Sequence, residues 1–192
     1  MIKANINDIS LIFSTDSALF SPESIDKGTL AMLSVVEFLP TDKVLDLGCG
    51  YGIVGIYAAK LIGEQNIVMS DADIKSVEIS RENAEANGVG GVQTILSDGV
   101  SEVKDNDFTL ILSNPPYHTD FSVPKRFIEK GFNRLNVGGK MYMVTKRKDW
   151  YKKKLIAIFG GVKIHEIDGY FVFCAEKRST QYASSMKGYN KT

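Results

Sequence analysis

The sequence predicts an α/β protein: a seven-stranded, mostly parallel sheet with helices on both faces and an antiparallel hairpin at its C-terminal end. Three observations carry this. Short apolar runs alternate with stretches of helical period from Thr29 to Phe159, which is how successive βαβ units read. Asp168-Gly169 then separates two further apolar runs, a hairpin signal. Finally, 192 residues with 44% hydrophobic and 24% charged side chains suit one globular core, which would bury roughly 70% of the unfolded chain's surface.

The elements follow in order. Ile9, Leu11 and Phe13 alternate, which predicts a short leading strand. Thr29 to Leu39 reads as a helix closed by Pro40. Lys43 to Leu47 is the first core strand, and Gly52 to Ile62 a helix ended by Gly63. Asn66 to Ser70 is a strand. Asp73 to Asn87 is a helix with Asp73 as N-cap and Asn87-Gly88 as its stop. Val92 to Leu96 and Phe108 to Ser113 are strands, and Val123 to Leu135 is a helix. Lys140 to Thr145 is a strand entered through a turn at Gly138-Gly139, and Asp149 to Phe159 a helix stopped by Gly160-Gly161. Val162 to Ile167 and Tyr170 to Ala175 form the hairpin. No linker divides residues 1–178. The segment 179–192 is polar, without apolar period, and is expected to be a mobile tail.

Composition narrows the function. No apolar run reaches the length of a membrane span, and Met1 to Asp8 is too polar for a secretory signal. Cys49 and Cys174 stand far apart with no Cys/His cluster, so no metal site is expected, and the chain reads as cytoplasmic. Net charge is zero but divided: residues 1–120 carry −11 and residues 121–192 carry +11. The basic half suits an anionic partner, and Lys146, Arg147 and Lys148 follow a strand, so a nucleic-acid surface is expected there.

Behind the run Phe108 to Ser113 stands Asn114-Pro115-Pro116-Tyr117. A carboxamide oxygen and the Pro115 carbonyl can accept the two N–H groups of a flat amine. Tyr117 can stack on a planar group, and the prolines stiffen the turn. Asp46-Leu-Gly48-Cys-Gly50-Tyr-Gly52 lies between the first core strand and its helix, where glycines permit a tight turn and close approach. Gly50-x-Gly52-x-x-Gly55 matches a dinucleotide pattern, but the Asp46 carboxylate disfavours pyrophosphate and suits a cationic group. Asp71, about 20 residues past the glycines, is placed to grip ribose hydroxyls. Asp98 is placed to accept from an adenine amine. These strand ends describe a nucleoside site with a cationic end.

On these residues the chain resembles the class I S-adenosylmethionine-dependent methyltransferases, whose Rossmann-like seven-stranded sheet the element order fits. More narrowly it resembles the catalytic half of small-subunit (16S) ribosomal RNA guanine-N2 methyltransferases (RsmC-like), from about Leu19 to Lys177. Longer members of that family carry a second, degenerate domain copy ahead of the catalytic one, which these 192 residues do not contain. The resemblance implies S-adenosylmethionine contacts at Phe20, Gly28, Thr29, Asp46, Gly48, Cys49, Gly50, Gly52, Asp71, Ala72, Asp98, Gly99 and Asn114. It implies catalysis by Asn114, Pro115 and Tyr117, and substrate contacts at Pro116, Tyr117 and His118, with Lys146, Arg147 and Lys148 on the RNA. The competing readings are an adenine-N6 methyltransferase on RNA or DNA, a glutamine-N5 protein methyltransferase, an NAD-dependent oxidoreductase and a non-catalytic RNA-binding module.

Overall fold

The computed structural model of the protein describes residues 1–15, 25–116 and 120–186. It opens on an antiparallel pair, β1 (Ile2–Ile6) and β2 (Ile9–Phe13), forming a separate two-stranded sheet. Only its second strand is predicted from the sequence. The turn between them, Asn7-Asp8, has φ of 46° and 66°, the left-handed pair of a primed hairpin turn. Asn83 and Asn87 fasten β2 to the body of the protein: the Asn87 carboxamide exchanges hydrogen bonds with the Ile12 backbone, and that of Asn83 with the Ser14 backbone.

The main sheet has seven strands in the order β5-β4-β3-β6-β7-β9-β8. These are β3 (Val44–Leu47), β4 (Ile67–Asp71), β5 (Gln93–Leu96), β6 (Phe108–Ser113), β7 (Leu135–Thr145), β8 (Lys163–Ile167) and β9 (Tyr170–Glu176). All pairs are parallel except β7 with β9 and β8 with β9. The helices are α1 (Lys27–Leu33), α2 (Ile53–Ile62), α3 (Ile74–Ala86), α4 (Ser122–Arg134), α5 (Lys148–Phe159) and the short α6 (Ala183–Met186). Two apolar clusters lie on opposite faces of the sheet. One joins α1, α2 and the leading hairpin to Val44, Leu110 and Val144. The other joins α4 and α5 to Leu45, Leu47 and Ile111. No helix among the described residues is long and apolar enough to cross a membrane.

Three expectations are corrected. Helix α1 runs from Lys27 to Leu33, not from Thr29 to Leu39. It starts at the Asp26 cap, and Ser34 ends it while Ser34 Oγ donates to Ala31 O. Strand β7 starts at Leu135, not after a turn at Gly138-Gly139. Those glycines form a bulge within it, Gly138 at φ 89°, where the register against β6 slips between Phe108 and Leu110. The segment after residue 178 is not wholly detached. Tyr182 packs edge-on against Phe132 and donates to Glu129 O, and residues 187–192 lie outside the described residues.

The topology sets the site. From β3 the chain runs outward through β4 and β5, then crosses to β6 and β7 on the other side. The crevice beyond the carboxyl ends of β3 and β6 is therefore the switch point where ligands of such sheets bind.

Candidate active site

At that crevice lies a cavity of about 350 Å³. Its walls include Asp26, Thr29, Asp46, Gly48, Cys49, Gly50, Asp71, Ala72, Asp98, Gly99, Asn114 and Pro116. Thus most of the residues expected to hold a cofactor meet in one place. Pro115, Gly28 and Gly52 do not line it. At Gly28 a Cβ would stand 2.8 Å from the Tyr170 ring and from Asp26 Oδ2, so that glycine admits close packing behind the wall. Gly52, at φ 93°, caps α2. Phe20, Tyr117 and His118 lie outside the described residues.

The glycine loop is held from inside the protein. Gly48 and Cys49 N–H donate to Ser70 O, and Gly52 N–H to Cys49 O. Gly50 N–H donates to Asp71 Oδ2, and Gly55 N–H to Asp46 Oδ2. Five N–H groups are thereby consumed. A pyrophosphate-binding loop needs such groups free, so the literal glycine pattern does not mark a dinucleotide site here. Gly55 is required for another reason: a Cβ there would lie 2.4 Å from Met69 Cγ on β4, so only glycine lets α2 approach the sheet.

The acids have distinct settings. Asp46 is 2% exposed. Burial pushes its carboxyl up to about 7, against the lowering pull of the Gly55 N–H, with the Asp71 charge raising it further. Asp71 is half-buried and accepts from Gly50 and Asp73 N–H, while Asp73 caps α3 by accepting from Ser76 N–H. Asp98 is exposed and pairs with Arg126 at 2.7 Å. Burial also raises the Cys49 thiol, which leaves it a neutral wall residue.

Asn114 is the centre of the arrangement. Its Nδ2 donates to Asp26 Oδ2 at 2.7 Å and to Thr29 Oγ1 at 3.0 Å. A carboxylate only accepts, so Asp26 dictates which end of the amide faces it. The Oδ1 is then turned away, is buried, and has no hydrogen-bond partner among the described residues. Tyr51 Oη and Ser70 Oγ, from two other cavity residues, are likewise buried without partners among the described residues. Native interiors leave few such atoms, so three of them on residues that line one cavity suit a polar ligand. Burial, with the nearby Asp26 charge, pushes the Tyr51 phenol up to about 12, so it remains a neutral donor.

Sequence reasoning did not assign site roles to Tyr51, Ser70 or Arg126. Asp26-x-x-Thr29 carries a local cap signal, but its contact with Asn114 spans 88 positions. The basic cluster sits where expected. β6 and β7 are parallel, with Ser113 opposite Met143, so Asn114 and Lys146 leave the sheet at the same edge. Lys146, Arg147 and Lys148 are exposed and lie over the rings of Tyr170, Phe121 and Phe171 at 4.9, 5.1 and 4.9 Å. Trp150 stacks on Phe121.

An acid-rich cavity at this switch point, with a clamped carboxamide at its wall, fits an α/β enzyme of the methyltransferase type. Residues 10–174 match the methyltransferase small domain; the chain belongs to that family and is an S-adenosylmethionine-dependent methyltransferase. It is 32% identical over 171 residues to the uncharacterized protein YbxB of Bacillus subtilis (strain 168), covering 86% of this chain and 85% of that one. It is 31% identical over 164 residues to ribosomal RNA small subunit methyltransferase C of Pseudomonas entomophila (strain L48), covering 83% of this chain and 49% of that protein. Among solved structures it is similar to the T. thermophilus 16S rRNA N2 G1207 methyltransferase (RsmC) in complex with AdoMet and guanosine. There the TM-score is 0.85 at 28% identity, over 92% of this chain and 50% of that one. The chain thus spans about half the length of these ribosomal RNA methyltransferases and 85% of YbxB.

Proposed function

We propose that the protein methylates an exocyclic amine of a base in RNA, the N2 amine of a guanine in small-subunit ribosomal RNA. The observation that carries this reading is Asn114, whose nitrogen is anchored and whose buried oxygen has no partner among the described residues. Such an acceptor costs ~1–3 kcal/mol while unsatisfied, and an amine N–H would satisfy it. Guanine is supported by the guanosine bound in the similar solved structure. RNA rather than protein is supported by the basic surface at the same sheet edge.

The cavity fits S-adenosylmethionine through its donor set: four carboxylates, buried oxygens unpartnered among the described residues, and apolar walls at Ile53, Val54, Val123 and Phe127. When bound, the cofactor supplies an electrophilic methyl group on a sulfonium. The protein's part is to hold and orient. Asn114 Oδ1 accepts one N–H of the amine, favouring a pyramidal nitrogen with its lone pair directed away from the clamp; the second acceptor expected at the Pro115 carbonyl belongs to a residue that does not line the cavity. Most of the rate gain is orientation of bound reactants. The remainder comes from hydrogen bonds that strengthen as the nitrogen becomes positive. No base is required before attack, because the proton can leave after transfer.

Asp71 has lone pairs left for two ribose hydroxyls beyond its backbone bonds. Asp71→Ala is expected to weaken cofactor binding by roughly tenfold or more, measured by direct titration; unchanged affinity would reduce Asp71 to a support of the glycine loop. Asp46 predicts a pH effect. Its folded value of about 7 lies above the unfolded carboxylate range, so the folded protein holds a proton there that the unfolded chain has lost. Stability from this group is full at low pH and declines as pH rises from ~4 to 7. A cationic ligand reverses the preference by favouring ionised Asp46. Cofactor binding is therefore expected to strengthen as pH rises through 7 and to release protons near pH 6–7. Calorimetry in buffers of different ionisation enthalpy reads this directly, and no proton release, or equal release from Asp46→Asn, would exclude the link.

The deciding experiment is methyl transfer from labelled S-adenosylmethionine to naked ribosomal RNA, ribosomal subunits, transfer RNA, DNA and release-factor protein, with analysis of the product. N2-methylguanosine in small-subunit RNA is expected. N6-methyladenine or methylglutamine would move the substrate while keeping the clamp.

A further inference from the structure

A second cavity, of about 340 Å³, adjoins the first along α4. Its walls include Asp98, Ser101, Arg126, Lys130, Asn133 and Arg134. Asp98 and Arg126 line both cavities, so their ion pair is the partition between them. Arg126, Lys130 and Arg134 are four residues apart and form one stripe of the helix. Arg134 is committed to shape, donating to Val100 O, Asp105 O and Asn106 Oδ1. Lys130 is exposed and has no ion-pair partner among the described residues. Here a cationic recess opens beside the cofactor cavity, apart from the Lys146–Lys148 cluster.

We propose that this recess binds a phosphate group of the RNA strand, and that Arg126 passes from Asp98 to that phosphate when the cofactor's adenine amine occupies Asp98. The inference rests on the nucleoside placement in the proposed function. Its physical basis is the weakness of the partition. The Arg126 and Asp98 side chains are 43% and 59% exposed, and such pairs contribute little net stability. A phosphate offers the guanidinium a bidentate, charge-assisted partner. Asp98, once released, still has an N–H to accept. Cofactor and RNA would then each favour the other's binding by the same factor.

The test measures single-stranded ribosomal RNA binding across salt concentrations, with and without S-adenosylhomocysteine, for the wild type, Lys130→Ala and Arg126→Gln. Direct titration of S-adenosylhomocysteine runs in parallel, as does thermal unfolding. In the wild type, S-adenosylhomocysteine is expected to raise RNA affinity about fivefold or more. Lys130→Ala is expected to bind RNA several-fold more weakly, with the log–log salt slope shallower by about 0.7, one single-strand phosphate contact. Arg126→Gln is expected to bind RNA equally with and without S-adenosylhomocysteine. RNA affinity and slope unaffected by Lys130→Ala would remove the phosphate site, and coupling that survives Arg126→Gln would remove the exchange. Inorganic phosphate or a nucleoside monophosphate binding through Lys130, with RNA indifferent to that residue, would assign the recess to a free anion and overturn the RNA assignment. Failure of the wild type to bind S-adenosylhomocysteine would instead sink the proposed cofactor placement, and the exchange with it.

Discussion

Asn114→Ala is expected to lower turnover at saturating cofactor by roughly 10²-fold or more, with cofactor affinity changed far less. The asymmetry follows from the hydrogen bonds. The side chain gives its nitrogen to Asp26 and Thr29 and keeps its buried oxygen without a partner among the described residues, so its remaining capacity is open to whatever enters the cavity. A hydrogen bond that strengthens as the amine becomes positive acts on turnover more than on ground-state binding. Asn114→Asp supplies a sharper arm. It retains an acceptor but sets a second carboxylate oxygen against Asp26 Oδ2, where the amide nitrogen now stands at 2.7 Å. Two carboxylates so close cannot both ionise, so the pair would hold one proton at neutral pH. That variant is expected to show partial turnover that falls as pH rises and the shared proton is lost. Single-turnover rates across pH for both variants check this, and near-normal turnover of Asn114→Ala would end the amine-clamp assignment.

What the sequence discloses is what its local spacing records. Most strands of the main sheet are visible because they are short and flanked by turn residues. β6 is located to the residue, and the caps at Asp73 and Gly63 are where their residue types require. Errors arise where tertiary contacts override local signals. Gly138-Gly139 reads as a turn, yet the backbone of that segment pairs with Lys177: Gly138 N–H donates to Lys177 O, and Lys177 N–H to Gly139 O. Val36 and Phe38 extend a helical stripe, but the chain has already turned at Ser34, and Asp42 holds Leu39 N–H in a new turn. Tyr182 stands in a polar segment, and only the fold places the Phe132 ring beneath it.

The cavity divides in the same way. Asp46 and Asp71 lie at the carboxyl ends of β3 and β4, and the glycines and Asn114 follow β3 and β6 directly, so their convergence could be anticipated from the βαβ pattern. The internal use of the loop N–H groups could not, because it depends on where Asp71 and Asp46 point. Nor could the ring beneath each cation of the Lys146–Lys148 cluster, since Phe121 comes from the start of α4, and Tyr170 and Phe171 from β9. Those rings hold the cations over apolar surface while leaving them exposed, a geometry suited to phosphate contact.

Asp26→Ala is expected to do two separable things, because one oxygen serves two donors. Asp26 Oδ2 accepts from Thr29 N–H at 2.9 Å and from Asn114 Nδ2 at 2.7 Å. Loss of the first bond removes the α1 cap and should cost ~1 kcal/mol of stability. Loss of the second releases the Asn114 amide from its charged partner, leaving only Thr29 Oγ1 to restrain it. A hydrogen bond to a charged group is worth ~1.5–3 kcal/mol, so turnover should fall by roughly 10- to 10²-fold if that energy is spent on orientation. Asp26→Asn keeps an acceptor and is expected to recover part of both. A merely structural Asp26 would lower the unfolding midpoint without lowering turnover well below that midpoint. A double-mutant cycle separates these cases. Because Asp26 acts on catalysis through the Asn114 amide, Asp26→Ala introduced into Asn114→Ala should cost little further turnover while still costing the cap's stability. Additive losses of turnover would show that Asp26 reaches the reaction by another route.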